Sequence, residues 1–183
     1  MPRTGDHFAS QPIYYTVDEN LQEVEIATGA VYQEADIVSR AVAIWNAALA
    51  KAGLATKMVP ADADHKVMLT FGQGVTSELG PRSLALTSYN VWQNHVYVEP
   101  VRVRLNTEQM QGIANENQLL NTFLHEIGHV MGLDHINDPS DIMYFTDSDV
   151  VTISTKDIIS VILNETLSNG TDSTNTLGIK PYA

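Results

Sequence analysis

The apolar residues of this chain follow strand and helix periodicities in turn. Ile13–Val17 is rich in β-branched and aromatic residues, which predicts a first strand. Across residues 33–52 the apolar positions recur at intervals of three and four, which predicts an amphipathic helix packed on a sheet. Residues 67–71 predict a second strand. Because a helix separates the two strands, there is room for a right-handed crossover, and we expect the strands to be parallel.

The middle of the chain shows further strand patterns after the turn signal Gly80-Pro81. Residues 82–89 predict a strand, and residues 95–98 another. From residue 101 to 105 apolar side chains alternate with arginines, as in a half-exposed strand. Pro100 lies between the last two patterns, and we expect it to interrupt their hydrogen-bond ladder because proline has no N–H to donate.

Two helices are predicted in the last third of the chain. Asn115 followed by Gln118 resembles a capping box, which would start a helix at about Glu116. Residues 154–157 form a second capping signature, opening a last helix that extends to about residue 167. The expected buried faces are Leu120, Phe123, Leu124, Ile127, Val130 and Met131 in the first helix, and Ile158, Ile159, Ile162 and Leu163 in the second.

The first of these helices carries the residues with the clearest chemistry. His125 and His129 are four apart and lie on one helix face, so both can bind a single ion. Glu126 is rotated off that axis, where a general base belongs. A catalytic zinc usually has three protein ligands. Gly132 can end the helix, and the turn there can bring His135 to the metal. The alternative, a histidine-rich surface helix, is disfavoured by the length of the motif.

This motif resembles the signature of the metzincin clan of zinc endopeptidases, H-E-x-x-H-x-x-G-x-x-H followed by a methionine-containing turn. Residues 140–144 supply the turn, and the spacing from His135 to Met143 is most similar to the matrixin branch. Phe145 replaces the proline that usually follows Met-Tyr in that branch. The resemblance implies that Met143 forms an apolar floor beneath the metal ligands. We interpret Tyr144 as structural support, since metzincins with a catalytic tyrosine carry it one position later.

The resemblance also implies the fold. We expect an α+β domain of the α/β-type metzincin class, with a twisted, mostly parallel mixed sheet of about five strands and an antiparallel edge strand. Two long helices would back the sheet, and a small C-terminal subdomain would hold a third helix. The catalytic domain would span residues 13–167, with its upper subdomain ending at about residue 132. Residues 1–12 and 168–183 are expected to be flexible.

In metzincins the edge strand borders the cleft and pairs with bound peptide, so main-chain hydrogen bonds supply affinity and side-chain pockets supply selectivity. The residues predicted to form this substrate-edge strand are Ser83, Leu84, Ala85, Leu86 and Thr87.

Composition narrows the set of partners and cofactors. Ten Lys and Arg against 22 Asp and Glu give a net charge of −12, which disfavours nucleic acid and anionic membrane surfaces. The acidic surface could also hold Ca²⁺, as in matrixin-like enzymes, but no Asp-rich calcium loop supports this. Cysteine is absent, so the chain has neither disulfides nor thiolate ligands.

No apolar run reaches the length of a membrane span, and the first residues lack a signal-peptide core. Family resemblance implies a secreted or extracellular monomer, although the sequence leaves a cytoplasmic origin open.

The sequence therefore predicts a zinc-dependent endopeptidase that hydrolyses internal bonds of extended polypeptides, with Glu126 assisting the attack of water held by Zn²⁺. Two alternatives remain: a highly selective protease, and a metzincin-fold module that binds peptides without cleaving them. Glu126 argues against the second, because a site without catalysis has no need of that carboxylate.

Overall fold

The structure is a computed structural model that describes residues 3–18, 23–166 and 179–182 of the chain. Its strands are β1 Ile13–Val17, β2 Glu23–Glu25, β3 Val31–Gln33, β4 Met58–Pro60, β5 Leu69–Gly74, β6 Ala85–Val91, β7 Tyr97–Asn106 and β8 Ile179–Tyr182. Its helices are α1 Glu34–Lys51, α2 Thr76–Leu79, α3 Glu116–Val130 and α4 Thr155–Thr166, with a 3₁₀ turn at Thr107–Gly112. None of the helices in the described residues has the length and apolarity needed to cross a membrane.

The main sheet has the strand order β4-β1-β5-β7-β6-β8. The first four strands are parallel, and β6 runs antiparallel to β7. These five strands confirm the predicted fold: a mostly parallel sheet with an antiparallel strand at one side. β8 adds a sixth strand by pairing antiparallel with residues 87–90 of β6. β2 and β3 form a separate two-stranded ribbon.

Helices α1 and α3 pack together against one face of the sheet, and Trp45 joins them. Its side chain is fully buried, and its Nε1 donates a hydrogen bond of 2.9 Å to the carbonyl oxygen of Leu124. The predicted apolar stripe of α1 is buried at Ile37, Ala41 and Leu49. Helix α3 is buried from Leu119 to Val130, including its polar residues. A helix enclosed on so many sides holds its side chains in fixed directions.

Pro100 does not interrupt the sheet, contrary to our prediction, because β7 continues through it from Tyr97 to Asn106. The register between β6 and β7 shifts at this point: Ser88 pairs with Arg102 and Asn90 pairs with Val98. β7 therefore has three residues where β6 has one. Proline is tolerated in such an irregularity, because no ladder hydrogen bond requires its missing N–H.

The buried face of α4 also differs from our prediction. Ile159 and Leu163 are exposed, and the residues that are buried instead are Asp157, Ser160, Val161 and Asn164. Asp157 accepts hydrogen bonds from the amide and hydroxyl of Ser154 at the start of the helix. The apolar pattern was misleading because α4 packs through polar side chains that bond to neighbouring loops.

The N-terminal segment packs on the domain, in contrast to the flexible segment that the sequence predicts for residues 1–12. The amide of Thr4 donates to the carbonyl oxygen of Gly132 at 2.8 Å. Asp6 is fully buried, and its carbonyl oxygen accepts from Asn164 Nδ2 at 2.8 Å. The predicted C-terminal tail, residues 168–183, lies outside the described residues except for β8.

Candidate active site

Helix α3 has defined ends on both sides of the histidine motif. At its start, Asn115 Oδ1 accepts from the amide of Gln118 at 3.0 Å. Gln118 Oε1 accepts in return from the amide of Ala114 at 2.8 Å, one residue before the position expected for a capping box. The helix therefore starts where the sequence predicts.

The end of α3 depends on Gly132, which has a φ of +84°. Its amide donates to the carbonyl oxygen of His129 at 3.0 Å, and the amide of Leu133 donates to that of Gly128 at 2.9 Å. This pair of bonds is a Schellman motif, which requires a left-handed residue at the Gly132 position. A Cβ added to Gly132 would also lie 2.8 Å from the carbonyl oxygen of Asp6. The chain reverses here and brings His135 towards α3.

The three histidines of the motif converge on one point. The Nε2 atom of His125 lies 3.1 Å from that of His129 and 3.1 Å from that of His135, and the remaining pair is 3.2 Å apart. His125 and His129 are buried, whereas His135 is partly exposed. Two ligands at adjacent corners of a tetrahedral zinc site, each about 2.0–2.1 Å from the metal, lie roughly 3.3 Å apart.

The other ring nitrogens fix which tautomer two of these histidines adopt. His125 Nδ1 lies 2.9 Å from the carbonyl oxygen of Ile142, and His129 Nδ1 lies 2.9 Å from that of Leu133. A carbonyl oxygen can only accept a hydrogen bond, so each Nδ1 carries the hydrogen and each Nε2 presents a lone pair. Lone pairs that face each other at this distance repel, and a cation between them would remove the repulsion.

Burial favours the neutral form of the imidazoles of His125 and His129. It lowers the pKa of His125 to about 4, although the hydrogen bond to Ile142 acts in the opposite direction. Burial also lowers the pKa of His129 well below its ordinary value, and the neighbouring His125 lowers it further. Neutral imidazole is the form that binds a metal, so the site is ready for an ion near neutral pH.

Glu126 lies beside the three histidines and is almost fully buried, at 2% exposure. Burial raises the pKa of its carboxyl group to about 8. The hydroxyl of Thr87 donates to Glu126 Oε2 at 2.5 Å and opposes this shift, because the bond favours the ionised form. Thr87 was included in the predicted substrate-edge strand, but its contact with Glu126 was not predicted.

Met143 packs directly against α3 between the two helical histidines. A Cβ added to Gly128 would lie 2.2 Å from Met143 Sδ, so only glycine leaves room for the thioether at this level of the helix. The amide of Met143 donates to Asp141 Oδ1 at 2.9 Å, and its carbonyl oxygen accepts from Ile136. Gly128 had no predicted role, although a glycine inside a buried helix commonly marks a close packing contact.

An open cleft of about 410 Å³ lies next to His125 and Glu126. Three residues of the predicted substrate-edge strand, Ser83, Leu84 and Ala85, line it, and Tyr144 is also among its lining residues. Strand β6 begins at Ala85, two residues later than predicted. Leu86 and Thr87 are buried in the strand rather than exposed to the cleft.

Three converging imidazoles beside a buried carboxylate, on an α+β fold with this sheet, are typical of the metzincin class of metallopeptidases. The profile of the Peptidase_M10 family, described as Matrixin, matches residues 8–162. The chain therefore belongs to the matrixin family of metalloproteases.

Two solved structures resemble the chain. The "GM1 bound form of the ECX AB5 holotoxin" has 16% sequence identity and a TM-score of 0.52, covering 83% of this chain and 79% of that chain. This similarity is evidence for the fold alone. The structure of metalloproteinase-II from Bacteroides fragilis has 14% identity and a TM-score of 0.44, covering 87% of this chain and 54% of that chain. No curated protein sequence matches the chain significantly.

Proposed function

We propose that this protein is a zinc-dependent endopeptidase that cleaves internal bonds of extended polypeptides. The observation that supports this most strongly is the set of three Nε2 atoms within 3.2 Å of one another, next to a buried carboxylate at the wall of an open cleft. Three nitrogen ligands at this spacing match the ligand set of a catalytic zinc site. A divalent cation with nitrogen affinity satisfies all three.

His125, His129 and His135 would hold the zinc ion, and a catalytic zinc with three protein ligands would keep a fourth position for water or substrate. A bound zinc ion would polarise water and the substrate carbonyl group and would stabilise negative charge that develops on the carbonyl oxygen. Carbonyl groups that accept from the Nδ1 atoms orient the imidazoles of His125 and His129. Met143 supports this face of α3 as an apolar floor.

Glu126 is the residue to which we assign proton transfer. Its carboxylate would accept a proton from the attacking water and deliver it to the amine that leaves. Burial alone favours the protonated acid, but a cation at the neighbouring imidazoles and the hydroxyl of Thr87 both favour the carboxylate. The group can therefore be ionised at rest and still have a high affinity for a proton, as a general base requires.

Strand β6 is suited to bind an extended substrate. It is antiparallel to β7, and on its other side β8 pairs only with residues 87–90. Among the described residues, no strand pairs with that outer side of Ala85 and Leu86, and Ala85 lines the cleft. A polypeptide in the cleft could add there as a further strand, with Ser83 and Leu84 extending the contact. Family membership favours a secreted or extracellular enzyme acting as a monomer.

Zinc content and hydrolysis, measured in parallel for the wild type and Glu126→Ala, test this proposal. The wild type should bind one zinc ion and cleave an unfolded protein substrate. Glu126→Ala should keep the zinc ion and lose hydrolysis, since it removes the proton acceptor but no ligand. Glu25→Ala changes an exposed carboxylate of β2 and serves as the matched control.

Three other outcomes separate the alternatives. Unchanged hydrolysis in Glu126→Ala would remove this residue from the assigned role. A wild type that binds zinc and peptide but never cleaves would support the peptide-binding module. Cleavage of only a few sites, with no digestion of unfolded protein in general, would support the highly selective protease.

A further inference from the structure

Thr87 of strand β6 is a buried threonine that lies beside Glu126. Within β6, alternate residues from Ala85 to Val91 are buried against the domain, and Thr87 is one of them. Its exposure is 0%, and the flanking residues of that alternation, Ala85 and Tyr89, are also buried. Valine has the same shape as threonine and would fill the same volume, so packing alone does not account for a hydroxyl here.

The partner of this hydroxyl is the proposed general base. Thr87 Oγ1 lies 2.5 Å from Glu126 Oε2 and 3.1 Å from the main-chain oxygen of Glu126. A hydroxyl has a single hydrogen to donate, and the shorter distance assigns it to the carboxylate. Bonds to an ionised acceptor are roughly twice as strong as neutral ones. The bond connects β6 to α3 at the position where Glu126 faces the cleft.

We propose that Thr87 is a positioning residue for Glu126, an inference that rests on the proposed function. The hydroxyl holds one carboxylate oxygen against the substrate-binding strand, so the other oxygen is directed towards the attacking water. Because β6 also borders the cleft, the same strand would place the substrate backbone and the base in fixed relation to each other. A carboxylate free to change rotamer would spend less time in the geometry that proton transfer needs.

The test compares Thr87→Val, which removes the hydroxyl at constant shape, with Thr87→Ser, which retains it. In zinc-loaded full-length protein, Thr87→Val should lower kcat by about 10- to 100-fold with KM nearly unchanged, a range typical for loss of an orienting contact next to a catalytic group. Thr87→Ser should recover most of the lost kcat. Zinc content should stay the same in both variants.

A matched control exists elsewhere in the chain. Thr56 is also buried, and its hydroxyl also donates to a glutamate, Glu165, but it lies outside the cleft. Thr56→Val should therefore leave kcat unchanged while removing a bond of the same kind. Equal losses of kcat in Thr56→Val and Thr87→Val would overturn the proposal, because both would then reflect general destabilisation.

Stability gives a second measurement that does not depend on hydrolysis. Denaturant unfolding of zinc-loaded wild type, Thr87→Val, Glu126→Ala and the double variant forms a double-mutant cycle. If the hydroxyl acts through the carboxylate, Thr87→Val should lower the unfolding midpoint much less when Glu126 is already alanine. Equal decreases in both backgrounds would show that Thr87 and Glu126 are not coupled. That result overturns the positioning role even if the protein proves not to be a peptidase.

Discussion

Buried histidines occur at two sites in the described part of the chain, and the groups that face these histidines differ between the sites. His95 is 7% exposed, and its Nδ1 lies 2.9 Å from Asp6 Oδ1. Tyr89 donates to the other oxygen of the same carboxylate at 3.1 Å. Each polar group there meets a partner of opposite character. In the triad of His125, His129 and His135, by contrast, the ring nitrogens that face one another are alike.

This difference separates a structural histidine from the proposed ligand site. A histidine opposite a carboxylate is satisfied within the protein and holds the N-terminal segment against β6 and β7. Three histidine nitrogens that converge on one point form a set of ligand atoms suited to a metal ion. The histidines at both sites are largely buried, so burial does not distinguish the sites. What distinguishes them is the chemical character of the atoms that face each imidazole ring.

The largest expected effect is on metal binding. His129→Ala removes one of three ligands and should abolish both zinc binding and hydrolysis, since two nitrogens hold zinc poorly. His95→Ala is the matched control because it also removes a buried imidazole. It should lower stability but keep the zinc ion. Atomic absorption measurements of the zinc content of the two purified variants test both expectations. Zinc loss in His95→Ala would erase the distinction drawn between the clusters.

The next effect concerns the structural cluster. Asp6→Ala leaves His95 buried without its hydrogen-bond partner and should lower the free energy of unfolding by about 1–3 kcal/mol, as is usual when a buried polar group loses its partner. Zinc content should be unchanged. Urea unfolding measures the free energy of unfolding of Asp6→Ala and of a control variant, Asp36→Ala, which alters an exposed carboxylate of α1. A loss as small as that of the control would mean that the N-terminal segment contributes little to stability.

Glu34 provides a third case, a buried carboxyl group whose two oxygens differ in their surroundings. Gln73 Nε2 donates to Oε2 at 2.6 Å, whereas Oε1 has no hydrogen-bond partner among the residues that the structure describes. Burial raises the pKa of Glu34 to about 7, Gln73 acts against the shift, and the charge of Asp18 adds to it. The folded protein therefore binds this proton more tightly than the unfolded chain does.

Because the pKa of Glu34 is higher in the folded protein than in the unfolded chain, the free energy of unfolding depends on pH. The contribution of Glu34 to stability is fully present below the ordinary carboxyl pKa and is lost as pH rises from about 4.5 to about 7. Glu34→Gln cannot titrate, so it should gain about 3 kcal/mol relative to the wild type between pH 4.5 and pH 8. Denaturant unfolding at both pH values measures this, with Glu25→Gln as an exposed control. Parallel pH curves for wild type and Glu34→Gln would contradict it.

Local patterns in the sequence were sufficient for α3 and its ends. Asn115, Gln118 and Gly132 act through bonds to residues at most five positions away, and the spacing of His125 and His129 is a property of any α-helix. The same reasoning failed for α4. Ile159 and Leu163 repeat at a helical interval, yet Asn164 is buried instead and donates to the carbonyl oxygen of Asp6, a partner 158 residues away that no local pattern reveals.

The roles of Thr87 and Asp6 could not be predicted from sequence. Thr87 is 39 residues from Glu126, and Asp6 is 89 residues from His95. No periodicity links positions so far apart, and a threonine in a strand or an aspartate near a terminus has many ordinary explanations.

The sequence by itself determined the metal-ligand motif, the helix that carries it and the glycine that ends that helix, because each depends on backbone geometry repeated over a few residues. Only the tertiary structure decided which carbonyl groups orient the imidazoles, which hydroxyl contacts the carboxylate and which histidine is paired with an acid. Those contacts depend on how the sheet, α3 and the N-terminal segment pack together, and packing is a property of the whole chain.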